Sequence, residues 1–211
     1  MVATLTVNLA IWGFMIISVI NSKGGVGKTT LALLLAEAFR RRGDGSEVWD
    51  ADPQGSAYDW AAAAAENDDP LPFPVMPVNK AQLRRQPPAA AWTIVDTPPG
   101  DPEAITLAAA RADFVLIPTD ASPMDMKRAA ATLAALDVPA ALLFCKINAR
   151  TQLASAARAW VETEDVSFLD SVVPSREDAK KIVDGGLSGL DDGLFGVEAV
   201  AAELVHALKE G

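Results

Sequence analysis

The chain has 211 residues, half of them hydrophobic, with 28 Asp+Glu against 18 Lys+Arg and a net charge of −10. That length supports one α/β domain with a sizeable core, and the apolar content excludes a disordered chain. The acidic balance excludes a constitutively basic, nucleic-acid-coating surface, and the lone cysteine, Cys145, excludes a disulfide framework, a cysteine zinc pattern or a cysteine-ligated cluster within one subunit and fits a reducing, cytoplasmic setting.

Residues 1–14, MVATLTVNLAIWGF, carry no basic leader segment, and their apolar part is shorter than the roughly 20 residues a bilayer span takes. They read as an extension ahead of a single domain over 15–211; an edge strand is the competing reading. Residues 16–20 are apolar and β-branched, a buried parallel strand. A glycine-rich turn follows, Ser22-Lys23-Gly24-Gly25-Val26-Gly27-Lys28-Thr29-Thr30, and then a helix over 31–40. Strand, glycine turn and helix are the context of a phosphate-binding P-loop. Glycines let successive N–H groups converge on an anion, and the helix dipole adds to the site. In this setting Lys28 reaches the β/γ-phosphates, and the Thr29 hydroxyl completes a Mg2+ shell.

Arg40, Arg41 and Arg42 with Gly43 read as a basic last turn and a glycine stop. A short strand over 47–49 runs into Asp50-Ala51-Asp52-Pro53-Gln54-Gly55-Ser56, with Ser56 capping a helix over 57–65. Two aspartates leaving a strand beside a P-loop bring a carboxylate towards the γ-phosphate. Residues 67–74 are loop, 75–78 a short strand and 80–85 a brief helix broken by Gln86-Pro87-Pro88. The strand over 92–96 ends in Asp96, the arrangement in which a carboxylate holds Mg2+ beside the P-loop threonine. Asp101, Pro102 and Glu103 start a helix with a cap, an N1 proline and an acidic first turn, ending at Arg111. A strand over 114–118 and a helix over 124–136 follow. Lys146 and Asn148 lie at the carboxyl end of a strand over 140–147, where open α/β sheets bind ligands, and are assigned to the adenine pocket, a solvated strand end being the competing reading. A helix over 149–162, a strand over 166–173, a short helix bearing Lys180 and Lys181, a flexible Gly/Asp loop over 184–193 and an amphipathic helix over 197–209 complete the chain. Strands alternating with helices give a doubly wound, mostly parallel sheet with helices on both faces.

The turn has Lys23-Gly24-Gly25 and a serine, Ser22, where the general P-loop pattern has glycine. This KGGxGKTT form resembles the deviant Walker A motif of the ParA/MinD ATPase family. Asp50 to Ser56 resembles the DxDPQ switch segment of ParA-type proteins, and Asp96-Thr97-Pro98-Pro99-Gly100 resembles the family's hhhDTPP segment. The likeness covers almost all of 15–211 and is nearest to short ParA-type plasmid or chromosome partition ATPases.

By that resemblance the cofactors are ATP and Mg2+. The nucleotide is held by Lys23, Gly24, Gly25, Val26, Gly27, Lys28, Thr29 and Thr30, with Lys146, Asn148 and Pro174 at the base. Thr29 and Asp96 are the metal residues, and Lys23 and Asp52 the catalytic ones. Lys23 reaches across a dimer interface to the partner's nucleotide, and Asp52 positions the attacking water while Asp50 supports its turn. The segment IPTDASPMD contributes to the dimer face, and Arg176, Lys180 and Lys181 contact DNA, with Arg150 or Arg158 adjoining.

The implied function is a Mg-dependent ATPase switch for DNA partition, slow until stimulated. It dimerises with ATP, binds nucleoid DNA without sequence preference and is released by a ParB-like or other small activator protein. The alternative, an orphan member that positions a protein cargo, is fully compatible with the residues. A MinD-like membrane switch calls for a basic amphipathic C-terminal helix. The acidic tail opposes that, so no membrane partner is expected.

Overall fold

The computed structural model describes residues 13–147, 151–174, 185–191 and 193–210. In chain order the elements are β1 (Met15–Val19), α1 (Lys28–Arg41), β2 (Ser46–Asp50), α2 (Ser56–Glu66), β3 (Val75–Pro77), α3 (Lys80–Arg85), β4 (Trp92–Asp96), α4 (Pro102–Arg111), β5 (Phe114–Thr119), α5 (Pro123–Ala134), β6 (Ala140–Ile147), α6 (Gln152–Thr163), β7 (Phe168–Pro174) and α7 (Val197–Glu210). The strands form one seven-stranded sheet in the order β3-β2-β4-β1-β5-β6-β7, every pair parallel.

The pleat explains why β1 reads as a continuous apolar run rather than an alternating one. Ile17 and Val19 face one helical layer, formed by α1, α2 and α7. Ile16 faces the other, formed by α3 to α6. A parallel sheet covered on both faces needs apolar side chains at every position. Ser18, fully buried between them, satisfies its hydroxyl by donating to the Ala108 carbonyl at 2.8 Å. In the first layer Phe39 stacks on Trp92 with ring centroids 4.0 Å apart, tying α1 to β4.

Register places the chemistry at one rim. Val19 is level with Asp96, and Asp50 is level with Asp96, so β1, β2 and β4 end together. β1 sits centrally. The chain first builds outward to β2 and β3, then crosses to β5, β6 and β7 on the other side. The glycine turn therefore leaves the sheet at the switch in strand order, where doubly wound folds open a crevice.

Several expected boundaries move. α1 begins at Lys28, three residues early, because the turn closes directly into helix at Gly27. Ser56 does not cap α2: Gly55, at φ 69°, occupies that position with no side-chain bond, and Ser56 is the first helical residue. α6 starts later than expected, at Gln152, capped by the Thr151 hydroxyl on the Ala154 N–H. Asp101 caps α4 as anticipated, accepting from Ala104 at 3.0 Å ahead of Pro102. The described part of the 184–193 segment is docked rather than flexible. Trp60 Nε1 donates to the Gly185 carbonyl at 2.7 Å, Ser188 Oγ to Asp69 at 2.8 Å, and Leu187 is buried in the core. The amphipathic face of α7 is used inside the fold: Val197, Val200, Ala201, Leu204 and Leu208 pack into the first layer. No helix among the described residues is long and apolar enough to cross a membrane.

Candidate nucleotide site

The glycine turn wraps a cradle that side chains would strain. Gly25 at φ 73° and Gly27 at φ 92° occupy left-handed backbone, which aims successive N–H groups into the concavity at the head of α1. Asn21, buried at the end of β1, pins the turn from behind. Its Nδ2 donates to the Pro118 carbonyl at 2.7 Å, and its Oδ1 accepts from the Lys23 N–H at 2.8 Å. Lys28 is buried at the first position of α1, its ammonium donating to the Lys23 carbonyl at 3.2 Å. Burial holds its pKa below the ordinary lysine value, opposed by the charges of Asp96 and Asp52. A desolvated, underneutralised ammonium beside a ring of N–H groups is suited to an anion.

At the end of β4, Asp96 Oδ2 accepts from the Thr29 hydroxyl at 2.7 Å. Its other oxygen, Oδ1, is buried with no hydrogen-bond partner. Burial pushes the Asp96 carboxyl up to about 7; Thr29 and Lys28 oppose, and Asp50 and Asp52 add to the rise. A buried, half-satisfied carboxylate against a threonine hydroxyl fits a hard divalent cation. No group of three or more His, Cys, Asp or Glu among the described residues is placed to hold a metal. Such an ion would therefore take the rest of its shell from phosphate and water.

Asp50, level with Asp96, accepts from the N–H groups of Asp52 at 3.1 Å and Tyr58 at 2.9 Å, which fixes the turn between β2 and α2. Burial raises its pKa and those backbone donors counter it. Asp52 accepts from the Gln54 N–H at 2.9 Å and faces the cavity.

That cavity has a volume of about 610 Å³ and runs from Gly25–Thr30 past Asp52, Thr97 and Pro99 to Lys146 and Pro174. Lys146 stands at φ 57° near the end of β6 and donates to the Gly25 carbonyl, so it braces the glycine turn while lining the cavity. Lys23 does not line it. Its ammonium points instead to Asp125 at the start of α5, 2.8 Å away, beside a smaller cavity of about 130 Å³. Lys23 holds the Asp125 carboxyl below the ordinary range, helped by the Ser122 hydroxyl.

The turn, Asp52, Asp96, Lys146 and Pro174 thus share one rim, as the order of strand ends suggested. Asn148, Arg150, Arg176, Lys180 and Lys181 lie outside the described residues. Arg158 is not a free cation: it pairs with Glu162 at 3.3 Å and with Asp170. Arg40 and Arg41 both bond Glu37, at 2.7 Å each, leaving only Arg42 of that basic turn without an ion pair among the described residues.

Sequence reasoning passed over Asn21 and Phe195, and named Thr97 and Asp125 only as parts of the DTPP and IPTDASPMD segments, without a role of their own. Asn21 carried a signal, a polar residue between strand and glycine turn. Phe195 lines the cavity from the short stretch between the 184–193 loop and the last helix, to which no reading was given.

Residues 17–188 match the family model described as the CobQ/CobB/MinD/ParA nucleotide-binding domain. The chain belongs to that family. In it, the chain is 30% identical over 208 residues to the maintenance of carboxysome distribution protein A of Halothiobacillus neapolitanus, covering 92% of this chain and 94% of the relative. A protein of the same name from Gloeobacter kilaueensis is 36% identical over 115 residues, 53% of this chain and 51% of its own. Among solved structures, a plasmid partition protein from Borrelia burgdorferi bound to AMPPNP superposes with a TM-score of 0.69 at 17% identity. It covers 92% of this chain and 99% of that one. The seven-stranded parallel sheet is thus that of ParA/MinD-type P-loop proteins, and the cradle at the head of α1 occurs in a nucleotide-binding family.

Proposed function

We propose that the chain is an ATP-driven dimerising switch that distributes a macromolecular cargo, hydrolysing ATP slowly until a partner protein stimulates it. One observation carries the dimer: Lys23, in the signature turn, is turned away from its own nucleotide cavity towards α5. A phosphate-loop lysine that does not enter its own site is available to a second subunit's site. There a further cation stabilises charge spreading over the transferred phosphoryl oxygens.

Gly24 to Thr30 would hold the phosphates, with Lys28 as the direct cation. Thr29 and Asp96 would hold Mg2+, which supplies charge neutralisation to the phosphates. Asp52 would orient the attacking water, held in place because Asp50 fixes the turn beneath it. Lys146 and Pro174 would flank the base.

The relatives favour a protein cargo: the two curated ones are named for carboxysome distribution. DNA partition is the second reading, favoured by likeness to a plasmid partition protein. In either case the track would be nucleoid DNA, bound without sequence preference in the ATP state through Arg176, Lys180 and Lys181.

The test is sizing by light scattering with Mg·ATP and with Mg·ADP, followed by a salt titration of binding to random duplex DNA. Wild type should dimerise with ATP only, and its DNA binding should fall steeply with salt. Lys28→Ala should lose ATP binding, and Lys23→Ala should bind ATP yet stay monomeric. A Lys23→Ala chain that dimerises and turns over normally would remove the role given to Lys23. ATP-independent DNA binding would remove the track.

A further inference from the structure

The phosphate turn accounts for one end of the cavity. The other end is apolar, walled by Leu34 of α1, Val173 and Pro174 of β7, and Phe195. We propose that Phe195 is the residue on which the base of the bound nucleotide stacks, and that the turn ahead of α7 is shaped to present it. The proposal rests on the nucleotide reading above and deepens it.

The turn is shaped against local preference. Phe195 sits at φ 54°, left-handed backbone that an aromatic residue with a Cβ seldom adopts. It is bracketed by Gly193 at φ 120° and Gly196 at φ 87°. A Cβ on Gly196 would sit 3.1 Å from the Val172 carbonyl, so the turn is pressed directly onto β7, beside Val173 and Pro174. Backbone held in such a region persists only where surrounding structure enforces it, and such positions concentrate at binding sites.

The same turn sorts its side chains. Leu194 and Val197 are both 0% exposed and belong to the core. Phe195, between them, packs against that core yet stays half-buried, with part of it lining the cavity. If the turn served only to anchor α7, the aromatic ring would be the side chain to bury, since it removes the largest apolar area from water. Instead the aliphatic neighbours anchor and the ring lines the opening. On the near side, Lys146 is fixed by its bond to the Gly25 carbonyl. Both Lys146 and Phe195 line the same cavity.

Every nucleobase offers a π-face, so stacking supplies affinity for a base without choosing among bases. The phosphate turn makes no use of Phe195. The two ends are therefore separable by ligand: inorganic tripolyphosphate engages the turn alone, while ATP and GTP engage both.

The experiment is calorimetry with Mg2+ and three probes, ATP, GTP and tripolyphosphate, on wild type, Phe195→Ala, Phe195→Tyr and Lys28→Ala. Phe195→Ala should weaken ATP and GTP by about tenfold or more and leave tripolyphosphate unchanged. Phe195→Tyr should restore both nucleotides, and Lys28→Ala should weaken all three probes. If Phe195→Ala loses cooperative thermal unfolding, Phe195→Trp decides instead: ATP should quench the added indole and tripolyphosphate should not. Unchanged ATP affinity in Phe195→Ala, an equal loss for ATP and tripolyphosphate, or an equal indole response to both would overturn the stacking role while leaving the nucleotide site standing. A wild-type chain that binds none of the probes would overturn the nucleotide reading itself, and the stacking role with it.

Discussion

At the scale of single residues, the site is a set of carboxylates held apart by different surroundings. Asp96 is buried and lacks one partner; Asp50 is buried and is satisfied by backbone N–H groups; Asp52 faces the cavity. Of the three, only Asp52 lines the cavity, which is what supports the proposed role for it on the attacking water. Asp52→Ala should therefore bind ATP and dimerise, yet release phosphate about a hundredfold more slowly or worse. Phosphate release beside sizing checks this, and near-normal turnover would transfer the role to Asp50. The sequence displayed the Asp50–Asp52 pair plainly. It did not display which of the two would be buried, because that depends on α2 folding back over Asp50 through the Tyr58 N–H.

Elements set the next scale, and two contacts between them are separately testable. The start of α5 holds Lys23 through Asp125, with Ser122 both capping the helix at the Asp125 N–H and donating to the Asp125 carboxylate at 2.7 Å. Lys23 is 39% exposed, so the pair contributes at most about 1 kcal/mol. Asp125→Asn should free Lys23 and tighten the ATP-dependent dimer by about two- to fivefold in sedimentation equilibrium. A weaker dimer would make Asp125 an interface contact instead of a restraint. In the opposite helical layer, Glu37 of α1 is 3% exposed at its side chain and receives Arg40 and Arg41. Burial alone would raise its pKa, but the two guanidinium groups outweigh burial and hold it below 4.5. A folded value below the unfolded one means the pair stabilises fully above the unfolded value, and that stabilisation is lost as pH falls through the folded value. Glu37→Gln should cost about 1–2 kcal/mol at pH 7, or a few degrees in Tm, after allowance for the partly exposed arginines. As pH falls below the unfolded value and through the lower folded one, the variant and wild type should converge in thermal scans, because wild type then loses the same contribution.

For the molecule as a whole, the cavity opens between two sets of strand ends that are far apart in sequence. Its walls come from the glycine turn and α1, the turns that follow β2 and β4, β6, β7 and the turn before α7. A ligand filling it would tie together segments from residue 25 to residue 197 and so add its binding free energy to the fold. At a hundredfold excess over Kd, Mg·ATP should stabilise by about 2.7 kcal/mol, raising Tm by roughly 5–10 °C for a chain of this size. Removing Mg2+ with a chelator should take back much of that shift, because Asp96 would again face phosphate without a cation between them. Differential scanning calorimetry with ATP, with ATP and chelator, and without nucleotide checks this. A shift that ignores the chelator would remove Thr29 and Asp96 from the metal site.

The sequence by itself determined the parallel α/β class and the phosphate turn, since both rest on local signals. An apolar run buried on both faces, glycines at left-handed positions and a lysine at the head of a helix are legible within thirty residues. It also carried Asp96, because a strand ending in aspartate beside a P-loop has little latitude in where that carboxylate goes. Only the tertiary structure decided where Lys23 points and that Arg158 is spent on ion pairs. It likewise decided that Phe195 lines the cavity. Lys23, Arg158 and Phe195 each depend on another element: Asp125 on α5, Asp170 on β7, the Val172 carbonyl under Gly196; Arg40 and Arg41 meet Glu37 within α1 at a spacing that sequence could have offered. Local propensity has no term for a contact across the sheet. A cation on a helix therefore reads the same in sequence whether a carboxylate will meet it or solvent will.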